Sequence, residues 1–208
     1  MLTVICVLKS GGAYNPEWVR KLRDGVRRNL TVPYMFKCIS DVDVPCFRVP
    51  LKADWPAWWA KLYLFKQGVL TGPTLYLDLD TVIVGNIDSL SDLRPDFAML
   101  HNFHDANVPA SGVMWFRRVP TEVYKKFMQK PWQYIEYYNR FRTGNHIGDQ
   151  AFIYDTLYKD IGFIENPGIK SYKKHCKDGL PKDASVVCFH GLPRPDHVKD
   201  EWMGKHWI

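Results

Sequence analysis

Residues 74–90 are Thr-Leu-Tyr-Leu-Asp-Leu-Asp-Thr-Val-Ile-Val-Gly-Asn-Ile-Asp-Ser-Leu, an apolar stretch with two aspartates near its middle. The run from Leu75 to Leu77 is short and follows a Gly-Pro turn signal, which favours a buried strand over a helix. Side chains two residues apart in a strand point to the same side. Asp78 and Asp80 are therefore expected to face one common site.

This pair of aspartates predicts a divalent-metal site. Two carboxylates at the end of an apolar strand repel each other and are costly to remove from water, and a cation between them would offset both costs. Oxygen ligands suit Mg²⁺ or Mn²⁺, whose coordination is often completed by phosphates. An isolated Asp-x-Asp is more often a turn or a solvated edge, but the apolar runs on both sides of this copy argue against a solvated loop.

Length and composition indicate an ordered enzyme-sized domain. The 208 residues are enough for one domain with a single substantial core, which we assign to residues 1–208. A hydrophobic share of 46% and an aromatic share of 14% exclude a disordered chain. The net charge of +6 suits an anionic ligand such as a nucleotide, or weak attraction to nucleic acid or a membrane surface. Basic residues that alternate with apolar ones in one segment predict the solvated face of a helix: Arg20, Lys21, Arg23, Arg27 and Arg28.

Cysteine usage and hydropathy indicate the cellular compartment of the protein. The five cysteines are odd in number and include no Cys-x-x-Cys, which predicts reduced and mostly buried thiols. No segment approaches the ~20 apolar residues of a membrane span. The N-terminus, from Met1 to Leu8, lacks the basic start of a signal peptide and is expected to be a first strand. Together these features predict a cytoplasmic protein without a transmembrane segment.

The order of predicted elements is that of a nucleotide-binding α/β sheet. Predicted strands cover about 2–8, 34–39, 75–77, 97–100, 111–116, 161–165 and 186–189, and predicted helices cover about 16–29, 57–70, 121–130 and 151–158. We expect residues 42–56 to be irregular and residues 131–147 to be a surface segment that faces a second substrate. Gly11 and Gly12 follow the first strand, where a close backbone approach to a ligand and a plain turn are equally good interpretations.

Several motifs, taken together and in order, resemble those of a known enzyme class. The matching pieces are the first strand with its loop, Trp59-Ala60-Lys61-Leu62, Tyr76-Leu77-Asp78-Leu79-Asp80-Thr81, Ser111-Gly112-Val113-Met114, Asp149-Gln150 and Phe189-His190-Gly191-Leu192-Pro193-Arg194-Pro195. They resemble the metal-dependent glycosyltransferases of the GT-A fold, most closely the family-8-like retaining enzymes of the glycogenin and bacterial galactosyltransferase group. The resemblance implies a Rossmann-like mixed sheet flanked by helices. It also implies a nucleotide-binding half, 1–100, and an acceptor-side half, 101–208.

The resemblance implies roles for particular residues. Asp78, Asp80 and His190 would ligate Mn²⁺ or Mg²⁺, which would bridge the phosphates of a nucleotide-sugar donor. Asp149 and Gln150 would contact the donor sugar near its reacting carbon and are the predicted catalytic residues. The other donor contacts would be Leu8, Lys9, Gly11, Tyr14, Lys61, Leu79, Ser111, Gly112 and Arg194. The implied reaction transfers a hexose or pentose from a UDP-sugar to a hydroxyl group of a glycan, with retention.

The chain departs from the resembled family at three motifs. Ala110 stands where the family has an asparagine, and Lys9 stands near a position for an aspartate-type contact. Near the C-terminus, the family's His-x-x-Gly-x-x-Lys is replaced by a run that begins at His190 and contains Arg194. These departures leave the nucleotide, the sugar and the role of Arg194 open.

Two alternatives of other functional classes remain at this stage. The run from Asp78 to Val82 also fits the opening motif of a haloacid-dehalogenase-type phosphatase, with Asp78 as the nucleophile and Asp80 as the general acid. That fold starts near its aspartate strand, whereas more than 70 residues precede it here. The second alternative is a non-catalytic basic module that binds nucleic acid, although no recognised nucleic-acid motif is present. A glycosyltransferase that modifies nucleic acid would combine both features, so nucleic acid stays open as an acceptor.

Overall fold

A computed structural model describes residues 1–141 and 147–208 of the chain. Its strands are β1 (Leu2–Leu8), β2 (Tyr34–Ser40), β3 (Phe47–Pro50), β4 (Thr74–Leu77), β5 (Thr81–Ile83), β6 (Phe97–His101), β7 (Pro109–Phe116), β8 (Gly162–Ile164), β9 (Ile169–Ser171) and β10 (Val186–Cys188). Its α-helices are α1 (Pro16–Asn29), α2 (Glu122–Phe127), α3 (Pro131–Arg140), α4 (Gly148–Leu157), α5 (Tyr172–His175) and α6 (Met203–His206). Short 3₁₀ helices cover Ala57–Phe65, Asp88–Leu90, Tyr158–Asp160 and Pro195–His197.

Among the described residues, seven strands form a sheet in the order β3-β2-β1-β4-β7-β6-β8, in which β7 alone runs antiparallel to its neighbours. The chain proceeds outward from β1 to β2 and β3, and it then returns to place β4 on the other side of β1. Ligands of open α/β sheets bind at such a switch point, outside the carboxyl ends of the strands. Asp78 follows the last residue of β4 and therefore stands at that position.

Successive residues of β1 pack into different cores on the two faces of this sheet. Val4 and Cys6 belong to a cluster that includes the apolar face of α1, whereas Ile5 belongs to a cluster that includes the 57–65 helix. Strand side chains alternate between faces, so a sheet buried on both sides needs apolar residues at nearly every position. The mixed α/β fold with a mostly parallel central sheet between helices confirms the predicted fold class.

Helix α1 has the bounds and the buried face that its sequence predicts. The Asn15 side chain accepts a hydrogen bond from Glu17 N at 3.0 Å, and Pro16 occupies the first turn, where a missing N–H costs nothing. Its buried apolar residues are Trp18, Val19, Leu22 and Val26, and the basic residues predicted for the solvated face are all at least partly exposed. Arg27 and Arg28 lie in the last turn, where positive charge interacts favourably with the helix dipole.

Three local predictions differ from the structure. Residues 42–56 include β3, an edge strand whose exposed, proline-ended sequence carries no alternating pattern. The predicted 57–70 helix is a 3₁₀ helix over 57–65, in which Trp58 is 49% exposed. Residues 131–140 form α3, which Pro131 opens. Of the rest of the predicted 131–147 segment, the structure describes Phe141 and Ile147, and residues 142–146 lie outside the described part of the chain.

The thiols agree with the sequence-based expectation. All five cysteines lie within the described ranges, none of them forms a disulfide, and four are buried. Of the helices in residues 1–141 and 147–208, none combines the length and the apolar character needed to traverse a bilayer. The cytoplasmic location stays a prediction.

Trp59→Ala is expected to lower the free energy of unfolding by about 3–5 kcal/mol, because it empties a large buried site. Trp59 is 1% exposed, its ring stacks on Phe127 at 5.6 Å between centroids, and its Nε1 donates to Asn139 Oδ1 at 3.2 Å. The neighbouring half-exposed Trp58 provides the matched control, since Trp58→Ala should cost about 1 kcal/mol or less. Urea unfolding measures both, and equal losses would contradict this assignment of the two rings.

Candidate active site

A cavity of about 500 Å³ lies at the carboxyl ends of β1 and β4. It brings together twelve of the predicted site residues, which are Lys9, Tyr14, Lys61, Asp78, Leu79, Asp80, Ser111, Gly112, Asp149, Gln150, His190 and Arg194. The other two predicted donor contacts do not line it. Leu8 is buried in β1, and Gly11 lies in an exposed turn with a φ of +81°, a backbone conformation that favours glycine.

Asp78 is held in place by groups from three different elements. Its backbone N–H donates to Gly112 O at 2.9 Å across the β4–β7 pairing. Lys61 Nζ lies 3.0 Å from its Oδ2, and the Tyr76 hydroxyl donates a short hydrogen bond to its Oδ1. Sequence reasoning missed Tyr76, although its position two residues before Asp78 in a strand was an available signal.

Lys61 is a buried cation between carboxylates. The residue is 7% exposed, and its Nζ donates to Ser111 Oγ at 2.9 Å and lies 3.4 Å from Asp149 Oδ2. Burial lowers the pKa of Lys61, but the charges of Asp149 and Asp78 outweigh burial and raise it above its ordinary value. Lys61 is therefore charged at neutral pH and joins three motifs that are far apart in the sequence.

Asp80 is the member of the carboxylate pair whose ionised form is disfavoured. Tyr14 OH donates to its Oδ2 at 2.8 Å. Burial, and then the charge of Asp78, raise the pKa of Asp80 to about 7. Desolvation disfavours the ionised form, and a second carboxylate nearby adds to this effect. A bound cation would act in the opposite direction and favour both ionised carboxylates.

His190 reaches the same cavity through the pairing of a second, smaller sheet, β5-β10-β9. Strand β10 runs antiparallel to β5, and Phe189 N donates to Asp80 O at 3.1 Å, so the next residue, His190, lines the same cavity as the two aspartates. His190 Nε2 is 2.7 Å from Ser171 Oγ. Burial, and then the charge of Lys173, lower the pKa of His190 to about 4. Its imidazole is therefore neutral at pH 7 and retains a lone pair for a metal.

The residue types of the donor set fit a divalent cation, although each side chain contacts other residues: Asp78 contacts Lys61 and Tyr76, Asp80 contacts Tyr14, and His190 contacts Ser171. Within the described ranges, no three His, Cys, Asp or Glu side chains are already arranged as a metal-binding group. The two aspartates and the neutral His190 nevertheless line one cavity, in which burial, and then the charge of Asp78, raise the pKa of Asp80. Carboxylates and a neutral imidazole are accepted ligands of Mn²⁺ and Mg²⁺ sites. The metal stays a prediction that these residues support.

Asp149 and Gln150 begin α4 at the edge of the cavity. Asp149 is buried, and its Oδ2 makes no hydrogen bond within the described structure apart from its ion-pair contact with Lys61. Burial raises the pKa of Asp149. The preceding Gly148 has a φ of +66°, and a Cβ there would lie 2.7 Å from Trp58 Nε1. The position therefore needs glycine, and it brings the Trp58 ring next to the predicted catalytic pair.

Lys9 and Arg194 have different surroundings. Lys9 Nζ pairs with Asp41 Oδ2 at 2.7 Å and with Asp54 Oδ1 at 3.2 Å, so its charge ties the loop after β1 to neighbouring loops. The Arg194 guanidinium lies 5.7 Å from the centroid of the Tyr14 ring, an arrangement typical of a cation–π contact. Arg194 therefore stands near the tyrosine that holds Asp80.

The comparisons with known proteins agree on the fold. No family model and no curated protein matches the chain. The chain is similar to the glycosyltransferase GlyE of Streptococcus pneumoniae TIGR4, with a TM-score of 0.68, 13% identity, and coverage of 94% of this chain and 56% of that one. It is similar to the galactosyltransferase LgtC, solved with donor and acceptor sugar analogues, with a TM-score of 0.67, 10% identity, and coverage of 99% and 96%.

A third similar structure is a glycosyltransferase involved in glycosylation of the major capsid of PBCV-1, with a TM-score of 0.59, 18% identity, and coverage of 98% of each chain. At these identities the likeness shows the fold, which confirms the predicted GT-A-like architecture. The chain spans only about half of the length of GlyE, at 56%.

Asp80→Asn is expected to remove a pH-dependent decrease in the unfolding free energy of the metal-free protein. The pKa of Asp80 is about 7 in the folded protein and about 4 in an unfolded chain. The stability that Asp80 contributes is therefore fully present below about pH 4 and is lost as the pH rises through 7. With EDTA present, we expect the wild-type unfolding free energy to fall more than that of the variant between pH 4 and 8, by a few kcal/mol.

The control for this experiment is Asp88→Asn. Hydrogen bonds from Thr31 lower the pKa of Asp88, so its contribution to stability has the opposite sign and is lost as the pH falls. Parallel pH profiles for the wild type and Asp80→Asn would contradict the raised pKa.

Proposed function

We propose that this protein is a metal-dependent glycosyltransferase that moves a sugar from a UDP-sugar to a hydroxyl acceptor, with retention, as in the family-8-like enzymes. The observation that carries the proposal is one cavity that holds Asp78, Asp80 and His190 beside Lys61, at the switch point of a glycosyltransferase-like sheet. The fold of the similar structures supports the same reaction class.

Residues of this chain would form a binding site for a diphosphate. Asp78, Asp80 and His190 would hold Mn²⁺ or Mg²⁺, which when bound would supply Lewis-acid stabilisation of the departing diphosphate. Tyr76 and Tyr14 each donate a hydrogen bond to one of the two aspartates and so orient them. A carboxylate fixed in this way loses less conformational freedom when it takes a ligand.

Two cations would stabilise the negative charge of the leaving group. Lys61 keeps its charge because two carboxylates face it, and Arg194 is positioned over the Tyr14 ring. Electrostatic stabilisation of developing charge in a desolvated site is a large contribution to catalysis. The glycines and small side chains at the cavity wall, among them Gly112 and Ser111, leave room for the sugar.

Asp149 and Gln150 are the proposed catalytic pair for the sugar. Asp149 lines the cavity, where its carboxylate would accept a hydrogen bond from a sugar hydroxyl group or stabilise an oxocarbenium-like sugar. Lys61 Nζ lies within 3.4 Å of both Asp149 and Asp78, so the donor sugar would lie beside Asp149 with its diphosphate near Asp78. In a retaining reaction of this type, the departing phosphate would accept the proton of the acceptor hydroxyl.

The two alternative functions are less well supported. Strands β1, β2 and β3 all precede the aspartate strand, whereas a haloacid-dehalogenase-type phosphatase would begin near that strand. A non-catalytic basic module would leave the buried arrangement of Lys61, Asp78 and Asp149 without a role. Modified nucleic acid remains an alternative acceptor class to a saccharide.

Asp80→Ala is expected to abolish metal-dependent donor binding, because it removes one carboxylate of the proposed metal site. Isothermal titration of UDP in the presence of Mn²⁺ should show a loss of affinity of roughly 100-fold or more, the upper end of what even an outer-shell substitution costs a metal site. Asp88→Ala, which changes a partly exposed aspartate outside the cavity lining, is the matched control. A UDP isotherm that is the same in Asp80→Ala and the wild type would refute the site.

Asp149→Asn is expected to lower the turnover of a UDP-sugar by about 100-fold, the size of loss that follows removal of one charge-stabilising group. The amide keeps the shape of the side chain, so UDP affinity should change far less than turnover. UDP release from a panel of UDP-sugars measures this effect. Hydrolysis of p-nitrophenyl phosphate that Asp78→Asn abolishes, without any UDP-sugar turnover, would favour the phosphatase instead.

A further inference from the structure

One wall of the cavity is aromatic and has no role in the donor site described above. Trp58 lines the cavity and is 49% exposed, whereas its sequence neighbour Trp59 is 1% exposed and packed in the core. A large aromatic ring that stays half exposed inside a concave site offers an apolar face to a ligand.

Two backbone conformations hold the Trp58 ring in place. Ala57, directly before it, has a φ of +47°, in the left-handed region that non-glycine residues seldom occupy. Gly148, with a φ of +66°, lets the backbone approach so closely that a Cβ would stand 2.7 Å from Trp58 Nε1. The buried Trp59 anchors the same 3₁₀ helix. The indole is thus fixed at the start of α4, next to Asp149.

The charges of the cavity indicate which class of ligand this ring would take. Among the described lining residues, the lysine and arginine side chains are Lys9, Lys61 and Arg194. Lys9 is paired with two aspartates, and Lys61 and Arg194 are the cations proposed for the donor diphosphate, so these three side chains are already assigned before a second ligand binds. The groups that accompany Trp58 are a carboxylate and an amide, Asp149 and Gln150. This combination suits hydroxyl groups better than the phosphates of a nucleic acid.

We propose that Trp58 is the acceptor platform, on which a neutral saccharide stacks the C–H face of a pyranose ring while its hydroxyl groups point toward Asp149. This inference rests on the proposed function and names its acceptor class. In the transfer step, the acceptor oxygen forms a bond to the anomeric carbon as the bond from that carbon to the diphosphate breaks. The hydroxyl proton passes to the departing diphosphate, so the products are a glycoside and UDP.

The test compares Trp58→Ala with two matched variants. Trp58→Phe keeps an aromatic face, and Trp132→Ala removes a 60% exposed tryptophan of α3 that is not among the residues lining the cavity. The probes are methyl β-D-galactopyranoside and methyl α-D-glucopyranoside, with UDP and Mn²⁺ present. Saturation-transfer NMR reports their binding, and product analysis reports the ratio of sugar transferred to these glycosides to sugar released by hydrolysis. Circular dichroism checks that each variant is folded.

We expect Trp58→Ala to lose the saccharide NMR signal and to lower the transfer-to-hydrolysis ratio by about tenfold, a change of about 1.4 kcal/mol. Trp58→Phe should keep most of both, and Trp132→Ala should match the wild type. The platform is overturned by an equal saccharide signal in Trp58→Ala, or by a wild type that shows no saccharide signal. It is also overturned by a Trp58-dependent signal from a single-stranded oligothymidylate in place of the saccharides, which would assign a nucleic-acid acceptor.

Failure of the proposed function gives a different result. A wild type that neither binds UDP with Mn²⁺ nor cleaves UDP-sugars refutes the transferase, while a Trp58-dependent saccharide signal in the same protein keeps the platform as a sugar-binding site. Normal UDP binding and UDP-sugar cleavage with a Trp58-independent saccharide signal refutes the platform alone.

Discussion

The arrangement of the cavity depends on one buried ammonium group. Lys61 comes from the 57–65 helix, Asp78 from the end of β4 and Asp149 from the start of α4, and the lysine Nζ lies within 3.4 Å of both carboxylates. A buried charge is tolerated only where partners offset its loss of hydration. Each of these three elements therefore fixes the other two, and the ends of the predicted donor site cannot move independently.

A second constraint on the site is the strand pairing within the small sheet β5-β10-β9. Strands β5 and β10 are more than 100 positions apart in the sequence, yet their antiparallel register sets Cys188 opposite Thr81. His190 is delivered to the aspartate pair by this register and held by Ser171 from β9. The imidazole and the carboxylates thus share a site because two strand ends meet. The neutral state of His190 follows from its burial there.

The site residues differ in whether the sequence around them was enough to predict their place in the site. The sequence placed Asp78 and Asp80 together by strand periodicity, but the structure ends β4 at Leu77, and the two aspartates share a cavity from the turn that follows the strand. Helix α1 could be bounded by its capping Asn15, its Pro16 and its apolar spacing. Lys61, His190 and the predicted catalytic pair were identified through a resemblance in motif order, and all of them line the cavity. Tyr76 had a usable signal that was overlooked. Ser171 had none, since a single serine far from His190 in the sequence predicts no contact.

The sequence by itself determined the α/β class, the limits of the strong elements such as α1 and β1, and the common direction of the two aspartates. These properties follow from periodicity, capping and turn residues, which act over a few neighbouring positions. The tertiary structure alone decided that Lys61 sits between two carboxylates, that Trp58 faces the cavity while Trp59 faces the core, and that Gly148 meets the indole. Those outcomes depend on packing between elements, because a buried charge or ring takes its surroundings from chain segments distant in the sequence.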